Sequence, residues 1–130
     1  MGLDNGIVLK IIDREEFGPI PEWFRHEEWE REDEYEINYW RKCWNVRAEI
    51  MAYLGMDNDQ CEAVMTVDDL RTVNKIVKSI YNPTDWSNSI WDWDEIKDCY
   101  LRKLAYAKRM AQFLKKRPAS SYEIFFYDSY

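Results

Sequence analysis

The sequence predicts an α+β fold in a single domain (residues 1–130), with three main helices and a small sheet formed by the N- and C-terminal strands. A short β-branched run lies near the start of the chain, and an aromatic-rich run lies near its end. Between them, three stretches repeat apolar residues at helical spacing. A chain of 130 residues fits one domain, because it buries roughly two thirds of its unfolded surface without disulfides or metals.

The two terminal runs are expected to be strands. Residues 7–12 read Ile-Val-Leu-Lys-Ile-Ile between Gly6 and Asp13, and residues 122–127 read Tyr-Glu-Ile-Phe-Phe-Tyr. Such β-branched and aromatic residues favour strands. Because a lone strand leaves its backbone groups without partners, we predict that these two strands pair with each other.

A connector follows the first strand over residues 13–34, and residues 27–36 within and after it are densely acidic. Glycine and proline interrupt regular structure at Gly18, Pro19 and Pro21. Three aromatic residues are expected to hold the connector against the body of the domain, namely Trp23, Phe24 and Trp29.

The first long helix is predicted over residues 36–54. One face of it would carry five residues at helical spacing, namely Tyr39, Cys43, Val46, Ile50 and Leu54. Gly55 suits the residue after the helix, because glycine accepts the left-handed conformation that often ends a helix.

Two further helices are predicted in the second half of the chain. Thr66-Val67-Asp68-Asp69 resembles a capping box, so the second helix should begin at Thr66. It should end at Asn82-Pro83, because proline cannot continue the hydrogen-bond ladder. A loop would fill residues 84–91. The third helix would run over residues 92–116, with acidic residues at its start and basic residues at its end, as the helix dipole favours.

The net charge of −7 limits the classes of partner. It argues against general nucleic-acid binding, which relies on Lys and Arg at the phosphates, and against docking to an anionic membrane. An acidic protein can still bind an anion in a local basic pocket, or can itself mimic a nucleic acid. The start of the chain lacks the pattern of a signal peptide, and its apolar runs are too short to cross a bilayer, so a cytoplasmic location is expected.

Residues of the common catalytic and metal sites are sparse. Cys43, Cys61 and Cys99 lack CxxC spacing, which predicts free, buried thiols. The Asp-Asn-Asp run at 57–59 lacks the further ligands of a calcium loop, so we predict a turn there. His26 is the only histidine, and no catalytic motif is present. The sequence predicts a protein without enzymatic activity, metal or cofactor, although its 25 acidic residues leave a carboxylate-only hydrolase as an open alternative.

Residues 39–47 read Tyr-Trp-Arg-Lys-Cys-Trp-Asn-Val-Arg. On a helix, Trp40, Trp44 and Arg47 would share one side, and Arg41 and Asn45 would form an adjacent pair. Aromatic rings can stack on a nucleotide base, and guanidinium groups can bind a phosphate with paired hydrogen bonds. The structural alternative is a buried Trp pair beside solvated basic residues. The predicted ligand site, with a wall or lid from the last two residues, comprises Tyr39, Trp40, Arg41, Trp44, Asn45, Arg47, Trp91 and Tyr127.

Four features together resemble a family of small phage and prophage proteins that begin Met-Gly-Leu-Asp. They are the opening Met1-Gly2-Leu3-Asp4, the run Tyr39-Trp40-Arg41-Lys42, the Val-Asp-Asp-Leu helix start at 67–70, and the aromatic tail. The family pattern continues with an Asn and a His, where this chain has Trp44 and Arg47. That exchange favours anion binding over acid–base chemistry. The resemblance implies a phage-encoded accessory protein that acts in the bacterial cytoplasm.

The leading hypothesis is a counter-defence protein that binds and sequesters a nucleotide-derived immune signal, such as a cyclic nucleotide or an ADP-ribose derivative, without catalysis. If sites form between subunits, a homo-oligomer is expected. The rival hypothesis is an inhibitor that binds a host defence protein through the acidic residues 27–36, with Trp23 and Trp29 as anchors. A third hypothesis is an enzyme that degrades a nucleotide signal.

Overall fold

The fold is taken from a computed structural model that describes residues 4–26, 31–41, 44–80 and 93–129, with the backbone alone for residues 41, 44, 80 and 93–100. The main elements follow one another as β1 (Asp4–Ile11), α1 (Arg14–Phe17), β2 (Glu34–Arg41), α2 (Trp44–Leu54), β3 (Glu62–Met65), α3 (Val67–Ile80), α4 (Trp93–Leu114) and β4 (Tyr122–Ser129). A 3-10 turn, Ala119–Ser121, precedes β4.

The four strands form one antiparallel sheet in the order β2-β1-β4-β3. Its centre is the pair of terminal strands, in register from Asp4 with Ser129 to Ile11 with Tyr122. The predicted α+β fold and the predicted meeting of the two chain ends are therefore confirmed. β2 and β3 were not expected from the sequence, and they flank the central pair on either side.

The two faces of the sheet differ in burial. On the inner face, alternate residues of the central strands are fully buried, among them Leu9, Ile124 and Phe126. They join one hydrophobic core with residues of all three long helices, such as Ile50, Leu70 and Leu114. The outer face carries the intervening residues, which are half-buried or exposed. The molecule thus has two layers, with the helices on the inner side of the sheet.

The prediction of one helix over residues 36–54 is wrong. The structure divides this segment into β2, which ends at Arg41, and α2, which begins at Trp44. Burial in β2 alternates, with Tyr35 and Ile37 buried on either side of half-buried Glu36. The strand pairs with β1 along its length, and a β-bulge leaves Ile37 without a paired residue in β1. Because those ladder bonds are non-local, helical spacing within the segment could not reveal them.

The other two predicted helices are confirmed. In α3, the Thr66 hydroxyl oxygen accepts from the Asp69 backbone N–H at 3.1 Å, and an Asp69 carboxylate oxygen accepts from the Thr66 N–H at 3.0 Å. This is the predicted capping box. Gly55 has the predicted positive φ, 67°. The core stripe of α4 is buried at Leu104, Ala107, Ala111 and Leu114. The predicted loop over 84–91 and the end at 82–83 lie outside the described residues.

The connector is held by aromatic packing, as expected for Trp23 and Phe24. Phe17 at the end of α1 is fully buried, and its ring meets those of Phe24 and Tyr122 edge-on, with centroids 6.3 and 6.1 Å apart. Trp23 packs edge-on against Phe24 at 4.8 Å. Trp29 lies outside the described residues. The described part of the connector up to residue 26 is therefore held by ring contacts as well as by backbone hydrogen bonds.

Among the described helices, none combines the length and apolarity of a membrane-spanning segment.

Candidate functional site

Two predicted stacking residues lie on opposite faces of β2. Trp40 is on the inner face with only 5% of its surface exposed, and its ring stacks on Phe126 with centroids 6.3 Å apart. Tyr39 is half-buried on the outer face, and its hydroxyl donates to Asp4 Oδ1 at 2.7 Å. The predicted alignment of Trp40 with Trp44 and Arg47 on one helix face is therefore wrong, because Trp40 belongs to a strand and to the core.

Arg47, which was predicted to bind phosphate, forms an ion pair with a carboxylate of its own chain. Its Nε donates to Asp128 Oδ1 and a terminal nitrogen donates to Oδ2, both at 2.8 Å. The Asp128 side chain is fully buried and that of Arg47 is 12% exposed. Asn5 Nδ2 also donates to Asp128 Oδ1, at 2.7 Å. The two hydrogen bonds from Arg47 therefore help to join β1, α2 and β4.

Tyr127 lies on the outer face beside Gly6. A Cβ added at Gly6 would collide with the far end of the Tyr127 ring, so the ring lies across the glycine. Gly6 pairs with Tyr39 on one side and with Tyr127 on the other. The structure thus brings two predicted residues, Tyr39 and Tyr127, to the same row of the outer face.

The other residues of the predicted ligand site either lie away from Tyr39 and Tyr127 or fall outside the described part of the chain. Asn45 is exposed on α2. The side chains of Arg41 and Trp44, and the whole of Trp91, lie outside the described part of the chain. Cys61 is free and exposed, which corrects the expectation of a buried thiol, while Cys43 and the Cys99 side chain are not described.

A second feature was not predicted, namely a basic groove between α3 and α4. It encloses about 560 Å³, a volume in the range of small-molecule sites. α3 contributes Arg71, Asn74, Lys75 and Lys78. α4 contributes Leu101, Leu104, Ala105, Lys108, Ala111 and Gln112. We call these ten residues the basic groove.

The spacing of these residues follows from helix geometry. The lining residues of α3 recur at i, i+3, i+4 and i+7, and those of α4 repeat the same spacing over three turns. Each set therefore lies along one side of its helix. Leu104 and Ala111 are buried in the floor, whereas Lys75 and Lys108 are exposed at the rim. The result is an apolar floor between two basic edges.

The charge of the groove is opposite to that of the whole protein. Four of its ten residues are cationic, and no carboxylate is among those described in its lining, whereas the chain carries −7. Asn74 adds a polar group: its Nδ2 donates to the Leu104 carbonyl at 3.5 Å, but its buried Oδ1 has no hydrogen-bond partner. Buried amide oxygens without partners are uncommon in folded proteins. A ligand with a hydrogen-bond donor would satisfy this one.

Part of the signal for this groove was present in the sequence. Arg71, Lys75 and Lys78 fall on one side of a helix that was correctly predicted. The sequence did not reveal that Lys108 of α4 faces them, because that depends on how the two helices pack.

Other candidate chemistries find little support in the described structure. A hollow of about 550 Å³ beside Cys61 is lined by the carboxylates of Asp59, Glu62 and Asp128, and no cation is among its described lining residues, so this lining does not suit a phosphate. In the described part of the chain, no cluster of three or more His, Cys, Asp or Glu side chains could hold a metal ion.

The structure thus shows a two-layer α+β fold with a basic groove on its helical layer. Comparisons with known protein families, with curated proteins and with solved structures find no match to this chain.

Proposed function

We propose that this protein binds an anionic small molecule of the nucleotide class in the basic groove and retains it without converting it. The observation that carries the proposal is the concentration of four cationic side chains around an apolar floor in a protein of net charge −7. Positive charge gathered at one groove of an acidic protein favours binding of phosphate there.

The groove offers the parts that a nucleotide needs. Arg71 can bind a phosphate with two parallel hydrogen bonds, and the lysines add point charges at both edges. The alkyl floor at Leu104 and Ala111 suits the face of a base. The unpartnered Asn74 Oδ1 can accept from an amino or imino group on a base edge.

The same lining supports retention rather than turnover. Its described polar groups are ammonium, guanidinium and amide groups, which hold phosphate oxygens. Hydrolysis of a phosphate ester also needs a group placed to activate water, and neither histidine nor carboxylate is among the described lining residues.

The biological role that we attach to this binding is sequestration of a nucleotide-derived immune signal by a phage protein in its bacterial host. Its support is the resemblance of the opening tetrapeptide and of the Tyr39–Lys42 run to small phage proteins, together with the size and charge of the groove.

The test is native mass spectrometry of the protein mixed with cyclic dinucleotides, cyclic trinucleotides and ADP-ribose, followed by calorimetry on any hit. A retained complex with the unaltered mass of the nucleotide is expected. Failure of every nucleotide to bind, or release of a smaller product, would refute the proposal.

Charge-reversed variants locate the site. Lys75→Glu with Lys78→Glu should weaken binding at least about tenfold, because hydrogen bonds to charged groups contribute about 1.5–3 kcal/mol each. The matched control is Lys115→Glu with Lys116→Glu, two exposed lysines outside the groove, and it should bind normally. Equal losses in both variants would indicate general charge attraction and refute the assignment of the groove.

Asn74→Leu tests the amide. It should weaken binding while changing the free energy of unfolding little, because the buried oxygen that it removes has no partner and the hydrogen bond that it removes, from Nδ2 to the Leu104 carbonyl, is long at 3.5 Å. Unchanged binding by this variant would refute the role of the amide.

A further inference from the structure

We infer that the outer face of the sheet is a second, separate interaction surface, which docks a basic protein segment carrying an apolar side chain. This surface lies on the opposite side of the sheet from the helices and does not depend on the function proposed for the groove. Three features support it: an apolar centre, an acidic surround and a width suited to one segment.

The apolar centre spans three adjacent strands. Val8 of β1 pairs with Phe125 of β4, and Phe125 pairs with Val64 of β3. Val64 is 64% exposed, and the other two are half-buried. Tyr127 lies in the next row of the same face, over Gly6. A contiguous group of apolar side chains at a surface is typical of a protein interface, whereas a single exposed one is not.

The surround of this centre is acidic. The strands carry one described cation at an outer-face position, Lys10, and α4 adds Lys103 over the Tyr39 ring at the β2 edge. Five carboxylates occupy outer-face positions, namely Asp4, Glu34, Glu36, Glu62 and Glu123. Glu62 and Glu123 are exposed and lie closest in register to Val64 and Phe125. An apolar centre inside a polar rim is the usual anatomy of a protein interface.

Charge selects the partner among those that an apolar surface could bind. A second copy of this chain also carries a net charge of −7, and nucleic acids and anionic membranes likewise carry negative charge, so these partners complement an acidic face less well than a basic segment does. A segment with Lys or Arg on both sides of an aliphatic or aromatic side chain complements both the rim and the centre.

The dimensions suit a single segment. Four strands spaced about 4.8 Å apart make a face about 14 Å wide, and an α-helix with its side chains is about 10–12 Å across. One helix, or one extended strand, covers the apolar centre and reaches the glutamates on both sides.

The experiment measures binding of defined peptides by fluorescence anisotropy. The probe is a fluorescein-labelled helical peptide with a leucine stripe flanked by lysines. Two companions change one feature each: in one the leucines become serines, and in the other the lysines become glutamates. Only the first peptide should bind well, with at least about tenfold weaker binding of both companions. Equal binding of the serine peptide would mean attraction by charge alone and overturn the inference.

Variants of the protein then locate the peptide. Val64→Ser and the pair Glu62→Lys with Glu123→Lys should each weaken binding about tenfold or more. The control pair, Glu22→Lys with Glu49→Lys, reverses two exposed charges away from the outer face and should bind normally. Loss of binding in the control to the same extent, or no loss in either test variant, would overturn the inference.

Two further measurements separate this surface from the alternatives. The groove variant Lys75→Glu with Lys78→Glu should bind the peptide as the unmodified protein does. Sedimentation velocity should show a monomer at the concentrations used for anisotropy. Self-association that Val64→Ser abolishes would show that the face pairs with a second copy and would overturn the choice of a basic partner.

Discussion

Arg47 of α2 binds Asp128 of β4 through two parallel hydrogen bonds of 2.8 Å, across 81 positions of sequence. The Asp128 carboxylate is fully buried. The backbone N–H of Asp128 also donates to the Cys61 carbonyl at 2.7 Å. The Asn5 side-chain amide donates a third hydrogen bond to the Asp128 carboxylate. This aspartate therefore ties the start of the chain, the first long helix and the last strand together.

Replacing Arg47 with leucine should destabilise the fold by about 3–5 kcal/mol, because it leaves the Asp128 carboxylate buried without its charge partner. Urea unfolding measures this. The double variant Arg47→Leu with Asp128→Leu should recover much of the loss, since it removes the buried charge as well. A single variant as stable as the unmodified protein would contradict the structural role given to this pair.

Gly6→Ala should cost about 1–3 kcal/mol through overpacking against Tyr127. The cost should fall near the lower end, because the colliding atoms belong to the far end of a half-buried ring that can turn away. The test is a double-mutant cycle with Tyr127→Ala. In that background Gly6→Ala should be neutral or stabilising, because alanine loses less backbone entropy than glycine on folding. An unchanged cost there would mean that Tyr127 is not the obstacle.

Asp69 should make stability depend on acid pH. The Thr66 backbone N–H donates to the Asp69 carboxylate and lowers its pKa most; burial opposes this, and the hydroxyls of Tyr53 and Thr66 lower the pKa further. A pKa lowered in the folded state stabilises the protein above the unfolded pKa of about 3.9, and this stabilisation is lost as pH falls through the folded value.

Asp69→Asn should therefore be less stable than the unmodified protein at pH 7, by about 0.5–1 kcal/mol for a weakened cap. Thermal unfolding between pH 7 and pH 2 should show the difference shrinking below about pH 4. Asp68→Asn is the control, because Asp68 is exposed in the same helical turn and outside the capping bonds. A difference for Asp69→Asn that stays constant down to pH 2 would contradict the assigned pKa direction.

Phe17→Ala should cost about 3–5 kcal/mol, the range for a large side chain removed from a core. Phe17 is fully buried and its ring contacts those of Phe24, Phe113 and Tyr122. Phe17→Leu should cost clearly less, because it leaves a smaller cavity. Guanidinium unfolding compares the two variants. Equal and small effects would mean that the connector does not depend on this ring.

The sequence was most informative where a pattern is local. The cap at Thr66 and Asp69 needs only neighbouring residues, and the apolar stripe of α4 needs only helical spacing. The pairing of β1 with β4 is also predictable, because each run needs a partner and the sequence shows no other strong strand pattern. β3 was missed because four residues, Glu-Ala-Val-Met, carry too short a pattern to distinguish a strand from a loop.

The candidate site was harder to predict than the fold. The apolar residues of the segment that holds Trp40 fit a helix as well as a strand. The exposure of Trp40 depends on whether that segment pairs with β1. The basic groove needs two helices to bring Lys75 and Lys108 to facing edges, and no local pattern encodes that approach.

The sequence alone was enough to predict the fold class, the capping box at the start of α3, the meeting of the chain ends and the acidic balance. These follow from local periodicity, turn chemistry and composition. Three features depend on packing between distant segments: the burial of Trp40, the ion pair of Arg47 with Asp128, and the gathering of four cations between α3 and α4. The reason is physical: sheet ladders, buried ion pairs and helix packing join residues distant in sequence, and their energies outweigh the weak conformational preferences of any single segment.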